Sequence, residues 1–213
     1  MANFKTHLLG GLASYTLSTY LFWNQGNKET IVYIAGASII GSLFPDIDSD
    51  TSKTIRYFFY GLIALALLLT ANSLYINGVD LKKSAFVLFV IPFLILYLIK
   101  PAFTKMTSHR GIYHTIPMGL VISISTMYLP FTSYKFIISS SFMLGFLTHL
   151  LLDEIYSSIT ISGLRIRPKK SFGTAMKWFA PTMYANVILN IILVILIYDN
   201  YDVLYKGIYS IIG

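Results

Sequence analysis

Of the histidine and acidic side chains in this sequence, seven are placed so that they could hold metal ions together, and their spacing is the most informative feature of the chain. The histidines number four, at positions 7, 109, 114 and 149. Two sit in the stretch Ser108-His109-Arg110-Gly111-Ile112-Tyr113-His114-Thr115. The other two each lie at an end of an apolar segment: His149 is followed four residues on by Asp153, and His7 opens a run that leads, one segment later, to Pro45-Asp46-Ile47-Asp48. With no cysteine in the chain, a metal would be held by imidazole and carboxylate, a donor set that suits zinc, manganese or iron.

Each motif has a plainer reading beside the chemical one. Residues four apart share a helix face, so His149 and Asp153 could share an ion or a proton; equally, they could form a hydrogen-bonded pair that caps a helix. The five-residue interval from His109 to His114 does not stack on a helix, but Gly111 permits a turn that would bring both rings to one point. Otherwise the two are interfacial histidines near a helix start. Pro45 stops the preceding helix and leaves Asp46 and Asp48 as a carboxylate pair, with Asp50 better placed to cap the next helix. His7 becomes a ligand candidate only because the others fall on its side of the membrane. The intervals from His7 to Asp46 and from His114 to Asp153 are both 39 residues, so a histidine opens and an acid closes each of two hairpins.

The elements that would position these groups are membrane helices. The chain has 213 residues, 55% of them hydrophobic and 12% charged, about half the charge of a soluble domain. Apolar runs at 7–23, 31–44, 57–76, 84–99, 112–130, 136–152 and 183–198 predict an all-α, polytopic bundle of about six to seven transmembrane helices. The expected organisation is one domain over 1–213, with a basic cytoplasmic loop at 155–178 inside it. The second run spans roughly 21 Å at 1.5 Å per residue, less than a bilayer core, which would bring Asp46 and Asp48 below the membrane surface. Pro92 is expected to kink the fourth. The N-terminus shows no cleavage signature and is expected to be a retained helix.

Alternating crossings put His7, Asp46, Asp48, His109, His114, His149 and Asp153 on one side. Eleven of the sixteen Lys and Arg residues fall on that side, so the positive-inside bias makes it the cytoplasmic face. The net charge of +7 is accounted for by topology, and no nucleic-acid module or Gly-rich phosphate loop is present. The run Arg165-Ile166-Arg167-Pro168-Lys169-Lys170-Ser171 reads first as an anchor on anionic lipid. In a sharper reading Lys169, Lys170 and Ser171 hold a phosphate over the metal. Arg110 is either a fork for an oxyanion or a topology-setting charge.

Taken together, His7, Pro45-Asp46-Ile47-Asp48, His109-Arg110-Gly111 with His114-Thr115, and Gly145 with His149 and Asp153 resemble the YdjM-like inner-membrane proteins, over nearly the whole chain to about residue 178. That family is grouped with zinc-dependent phospholipases C and three-zinc nucleases. The resemblance implies a metal-assisted hydrolase, acting on a phosphoester. Thr115 stands where Ser is commoner, and the Thr expected three residues after Asp153 is missing. Seven ligands exceed what one zinc takes, so two or three zinc ions are expected, with manganese as the alternative. Glu154 is the candidate base and Arg110 the clamp on an anionic substrate, a lipid-type phosphoester at the membrane surface. The rival reading uses the same ligands in a metal-ion transporter or a metal-binding membrane protein without hydrolysis.

Overall fold

The computed structural model describes residues 3–25, 28–48, 52–106, 112–129, 134–162, 165–168, 177–180 and 182–212. In order these form α1 (Phe4–Leu21), α2 (Lys28–Leu43) with a 3-10 helix Phe44–Asp48, α3 (Lys53–Ile76), α4 (Leu81–Leu94), a π-helical turn Ile95–Ile99, α5 (Lys100–Met106), a 3-10 turn Ile112–His114, α6 (Ile116–Ser125) with a 3-10 turn Thr126–Tyr128, α7 (Lys135–Ser158), β1 (Ile159–Ser162), β2 (Arg165–Pro168), α8 (Met183–Asp199) and α9 (Tyr201–Ile212). Among the described residues the fold is helical apart from β1 and β2. These pair antiparallel, Ile159 opposite Pro168 and Ser162 opposite Arg165, within the stretch expected to be a polar loop.

The chain divides into two compact units, Met1–Pro45 with Arg110–Gly213, and Asp46–His109. In the first, α1, α2 and α7 pack along a seam of small residues. A Cβ on Gly41 would collide with the Phe142 carbonyl, and one on Gly145 with the Ser38 carbonyl. The two glycines therefore let the backbones of α2 and α7 touch, the usual role of small residues between membrane helices. Gly10 and Gly11 do the same for α1, whose added Cβ atoms would meet Leu152 of α7 and Ile39 of α2. Phe142, Phe146 and Leu150 of α7 fill the core with Ala37 and Ile138. A second cluster joins Val121, Ile124 and Met127 to Leu189 and Leu193 of α8.

In the second unit Ile55 and Phe59 of α3 pack with Ile95 of the π-helical turn, with Leu62, Ile63, Ile91 of α4 and Phe103 of α5 around them. Asp80 caps α4 by accepting from the Lys82 amide at 3.0 Å. Pro92 lies inside α4, and a π-helical turn starts three residues later, at Ile95.

Among the described residues, four helical segments are long and apolar enough to cross a membrane: Lys28–Ile47, Lys53–Ile76, Leu81–Thr104 and Lys135–Tyr156. The bent pair Met183–Asp199 and Tyr201–Ile211 makes a fifth if taken as one span. Two other expected spans fall short by different measures. α1 carries its histidine, glycines and hydroxyls on a buried face and is not apolar enough, while the segment Ile116–Tyr128 is too short. Burial separates the two units: the α3 and α4 spans are each 6% buried, against 44% and 56% for Lys28–Ile47 and Lys135–Tyr156. Apolar side chains so exposed are those of a chain whose solvent is lipid.

Candidate metal centre

Each ligand candidate of the first unit is fixed by an identifiable local device. Asn3 caps α1, its side chain accepting from the Thr6 amide at 3.0 Å, which places His7 in the first turn. His149 and Asp153 stand one turn apart on α7. His114 closes the turn before α6, and Thr115 then caps that helix: its hydroxyl donates to the Ile112 carbonyl at 2.8 Å and accepts from the Met118 amide at 3.4 Å.

These devices deliver three imidazoles to one carboxylate. His7 Nε2 lies 3.4 Å from Asp153 Oδ1. His149 Nε2 and His114 Nε2 lie 3.7 and 3.9 Å from the other oxygen, Oδ2. The His7 and His149 rings stack with centroids 3.7 Å apart and planes 12° from parallel, and the His114 ring stands edge-on to His149. All four residues are buried, His7 and His149 completely.

The donor set fits a metal ion. His7, His149 and Asp153 offer ligand atoms that all lie within 4.8 Å of one another. Tetrahedral zinc with bonds of about 2.1 Å separates its donors by about 3.4 Å, close to the distances seen. Asp153 turns one oxygen to His7 and the other to His149 and His114.

The backbone behind His149 orients its ring. His149 Nδ1 lies 2.7 Å from the Ser42 carbonyl oxygen. A carbonyl only accepts, so the proton sits on Nδ1 and Nε2 carries the lone pair, as in metal-ligating histidines oriented by a backbone carbonyl. The Ser42 hydroxyl donates in turn to the His7 carbonyl. One residue of α2 thus ties α1 to α7 beside the centre.

Of the residues singled out in the sequence, His7, His114, His149 and Asp153 are brought together. Glu154 follows on α7 and is buried, about 100° around the helix from Asp153. Asp46 belongs to the second unit, in the 3-10 helix that continues α2, where its carbonyl accepts from the Ser52 hydroxyl at 2.8 Å. Asp48 ends that helix, and its side chain lies outside the described residues, as do His109, Arg110, Lys169, Lys170 and Ser171. α7 runs on to Ser158, so His149 and Asp153 lie within a helix that was expected to end at 152.

Two contributors went unseen in the sequence. Ser42 acts through its carbonyl, which no residue pattern reveals, although the small-residue spacing Ser38, Gly41, Ser42 does mark a close helix contact. Lys177 was counted only as a charge, yet its carbonyl accepts from the Ile116 amide at 2.9 Å, and it pairs in parallel with Thr115. The chain returning from the basic hairpin is therefore fastened next to His114.

No curated protein and no solved structure matches this chain. The YdjM inner membrane protein family model matches residues 1–207. Nearly the whole chain is covered, and the apolar helices are those of an integral membrane protein; the chain belongs to the YdjM inner membrane protein family.

Proposed function

We propose that the protein is a membrane-embedded, metal-dependent hydrolase of a phosphoester, with its centre open to the cytoplasm. The observation that carries this reading is the convergence of His7, His114 and His149 on Asp153, with the His149 tautomer set by the Ser42 carbonyl. The preferred ions are two or three zinc, with manganese as the alternative. Bound there, they would supply a Lewis acid toward a phosphoryl oxygen and make water a better nucleophile at neutral pH.

The chain's own residues do the remaining work. Asp46, Asp48 and His109 complete the ligand set. Glu154 takes the proton as the water oxygen bonds to phosphorus, and returns it to the ester oxygen as the P–O bond to the leaving group breaks. Arg110, Lys169, Lys170 and Ser171 hold the phosphate oxygens, joined by Lys177 next to Thr115. A lipid-type substrate follows from a centre reached from the membrane surface. Seven crossings, with α1, α6 and α8 included, keep the motifs on the side with eleven of sixteen basic residues, hence the cytoplasm.

One observation favours the transporter as second reading: α7 continues past Asp153 to Ser158, roughly 7 Å further, which would set a metal deeper than a helix end does. Transporters keep their sites near the midplane with access from both sides. The two are separated by supplying zinc or manganese to the protein in nanodiscs with phospholipids and soluble phosphoesters, and in sealed vesicles for metal flux. Product release that disappears in Asp153→Asn supports the hydrolase. Metal flux lost in that same variant, with no phosphoester hydrolysed, overturns it.

A further inference from the structure

The C-terminal helix α9 carries three kinds of surface, and their order around it identifies its surroundings. At 100° per residue, Val203, Leu204 and Gly207 fall in one sector. Val203 and Leu204 pack on the cluster of α6 and α8, and Gly207 sits where a Cβ would collide with the Phe136 ring. A second sector holds Tyr201, Tyr205, Ile208 and Tyr209, each at least half exposed, with the Tyr201 and Tyr205 rings stacked. The third holds Asp202, Lys206 and Ser210, all exposed.

The axis of α9 is set as definitely as its faces. It leaves α8 at 74° after the single residue Asn200. That residue caps both helices: its amide donates to the Leu196 carbonyl at 3.1 Å, and its carbonyl accepts from the Leu204 amide at 3.0 Å. The Asn200 side chain also donates to the Tyr128 hydroxyl at 2.9 Å, while that hydroxyl donates to Asp199. The far end is held by Gln25, whose side chain donates to the Ser210 carbonyl at 3.0 Å. Twelve residues make a helix roughly 18 Å long, which at this angle advances only roughly 5 Å along α8. α9 therefore cannot cross a bilayer. Its contact with Phe136 places it at the start of α7, roughly 20 Å along that helix from His149.

We infer that α9 is an interfacial helix lying in the headgroup region of the leaflet remote from the metal centre. Tyr201, Tyr205, Ile208 and Tyr209 enter the acyl boundary, and Asp202 and Lys206 face water. Tyrosine suits this level because its ring is apolar and its hydroxyl wet. Asp202 and Lys206 cancel in charge, so the surface recognised is the bilayer interface itself rather than an anionic lipid.

The test uses the full chain in nanodiscs of phosphatidylcholine, where the absence of native cysteine allows single nitroxide labels at positions 202, 205, 206 and 208. All four side chains are exposed, so labelling leaves the packed sector untouched. Expected are relaxation by oxygen exceeding that by a soluble nickel chelate at 205 and 208, and the reverse at 202 and 206, with the ratio alternating several-fold. Chelate access at all four sites would mean a helix in water, and oxygen dominance at all four a helix immersed in lipid. Either result overturns the inference.

Discussion

The Ser42 carbonyl oxygen and the His149 ring are joined by a 2.7 Å hydrogen bond from Nδ1, and this bond decides which ring nitrogen faces Asp153. It also makes the binding and structural roles of His149 separable by mutation. His149→Asn keeps a donor near the position of Nδ1 and removes the ligand nitrogen. It should lose metal yet unfold within about 1 kcal/mol of wild type. His149→Ala removes both groups, leaving the carbonyl unsatisfied and a cavity beside it, at a cost of about 2–4 kcal/mol. Metal content and denaturant unfolding in detergent, measured on both variants, check the distinction. Equal loss of stability in the two would refute it.

The close approach of α2 and α7 should be equally measurable. Gly145→Ala and Gly41→Ala add a methyl group against a backbone carbonyl that has no room to move. Each is expected to destabilise by about 2 kcal/mol or more and to lower metal content, because His149 and the Ser42 carbonyl are drawn apart. Gly36→Ala and Gly61→Ala meet open space and should be neutral or stabilise by up to about 1 kcal/mol.

Sidedness can be read with single cysteines introduced into this cysteine-free chain. Ser52→Cys and Ser171→Cys should react from the cytoplasm and a label between α3 and α4 from the other face, as the basic asymmetry requires. Gly78 itself is a poor site, because its φ of +61° strains any other residue; Val79→Cys takes its place. Labelling of positions 52 and 171 from opposite sides would break the single-face arrangement.

The grouping of His7, His114, His149 and Asp153 was legible because it is written in residue types: a buried histidine needs a partner, and His149 with Asp153 shares a helix face by spacing alone. The apolar helices were legible for the same reason. What escaped depends on backbone geometry. The tie from Ser42 to His149 uses a carbonyl that every residue possesses. The end of α7 was set too early, since Glu154 and Asp153 look like the polar edge of a span, whereas both are buried and the helix continues. The length of α6 was not legible, because the apolar run hides Thr115 and Pro117, which start the helix late, and the 3-10 turn at Thr126–Tyr128, which ends it early. The bend at Asn200 rests on a tertiary clamp from Tyr128, 72 residues away in sequence.

The most direct test of the central claim is the metal content of the wild-type protein, purified without chelators, combined with X-ray absorption at the metal edge. Expected are about two or more zinc-like ions per chain, bound by nitrogen and oxygen at about 2.0–2.2 Å with no sulfur, and a lower stoichiometry in the double variant His149→Ala, Asp153→Ala. A wild-type protein that is folded, offered zinc and manganese, and still free of bound metal would contradict it.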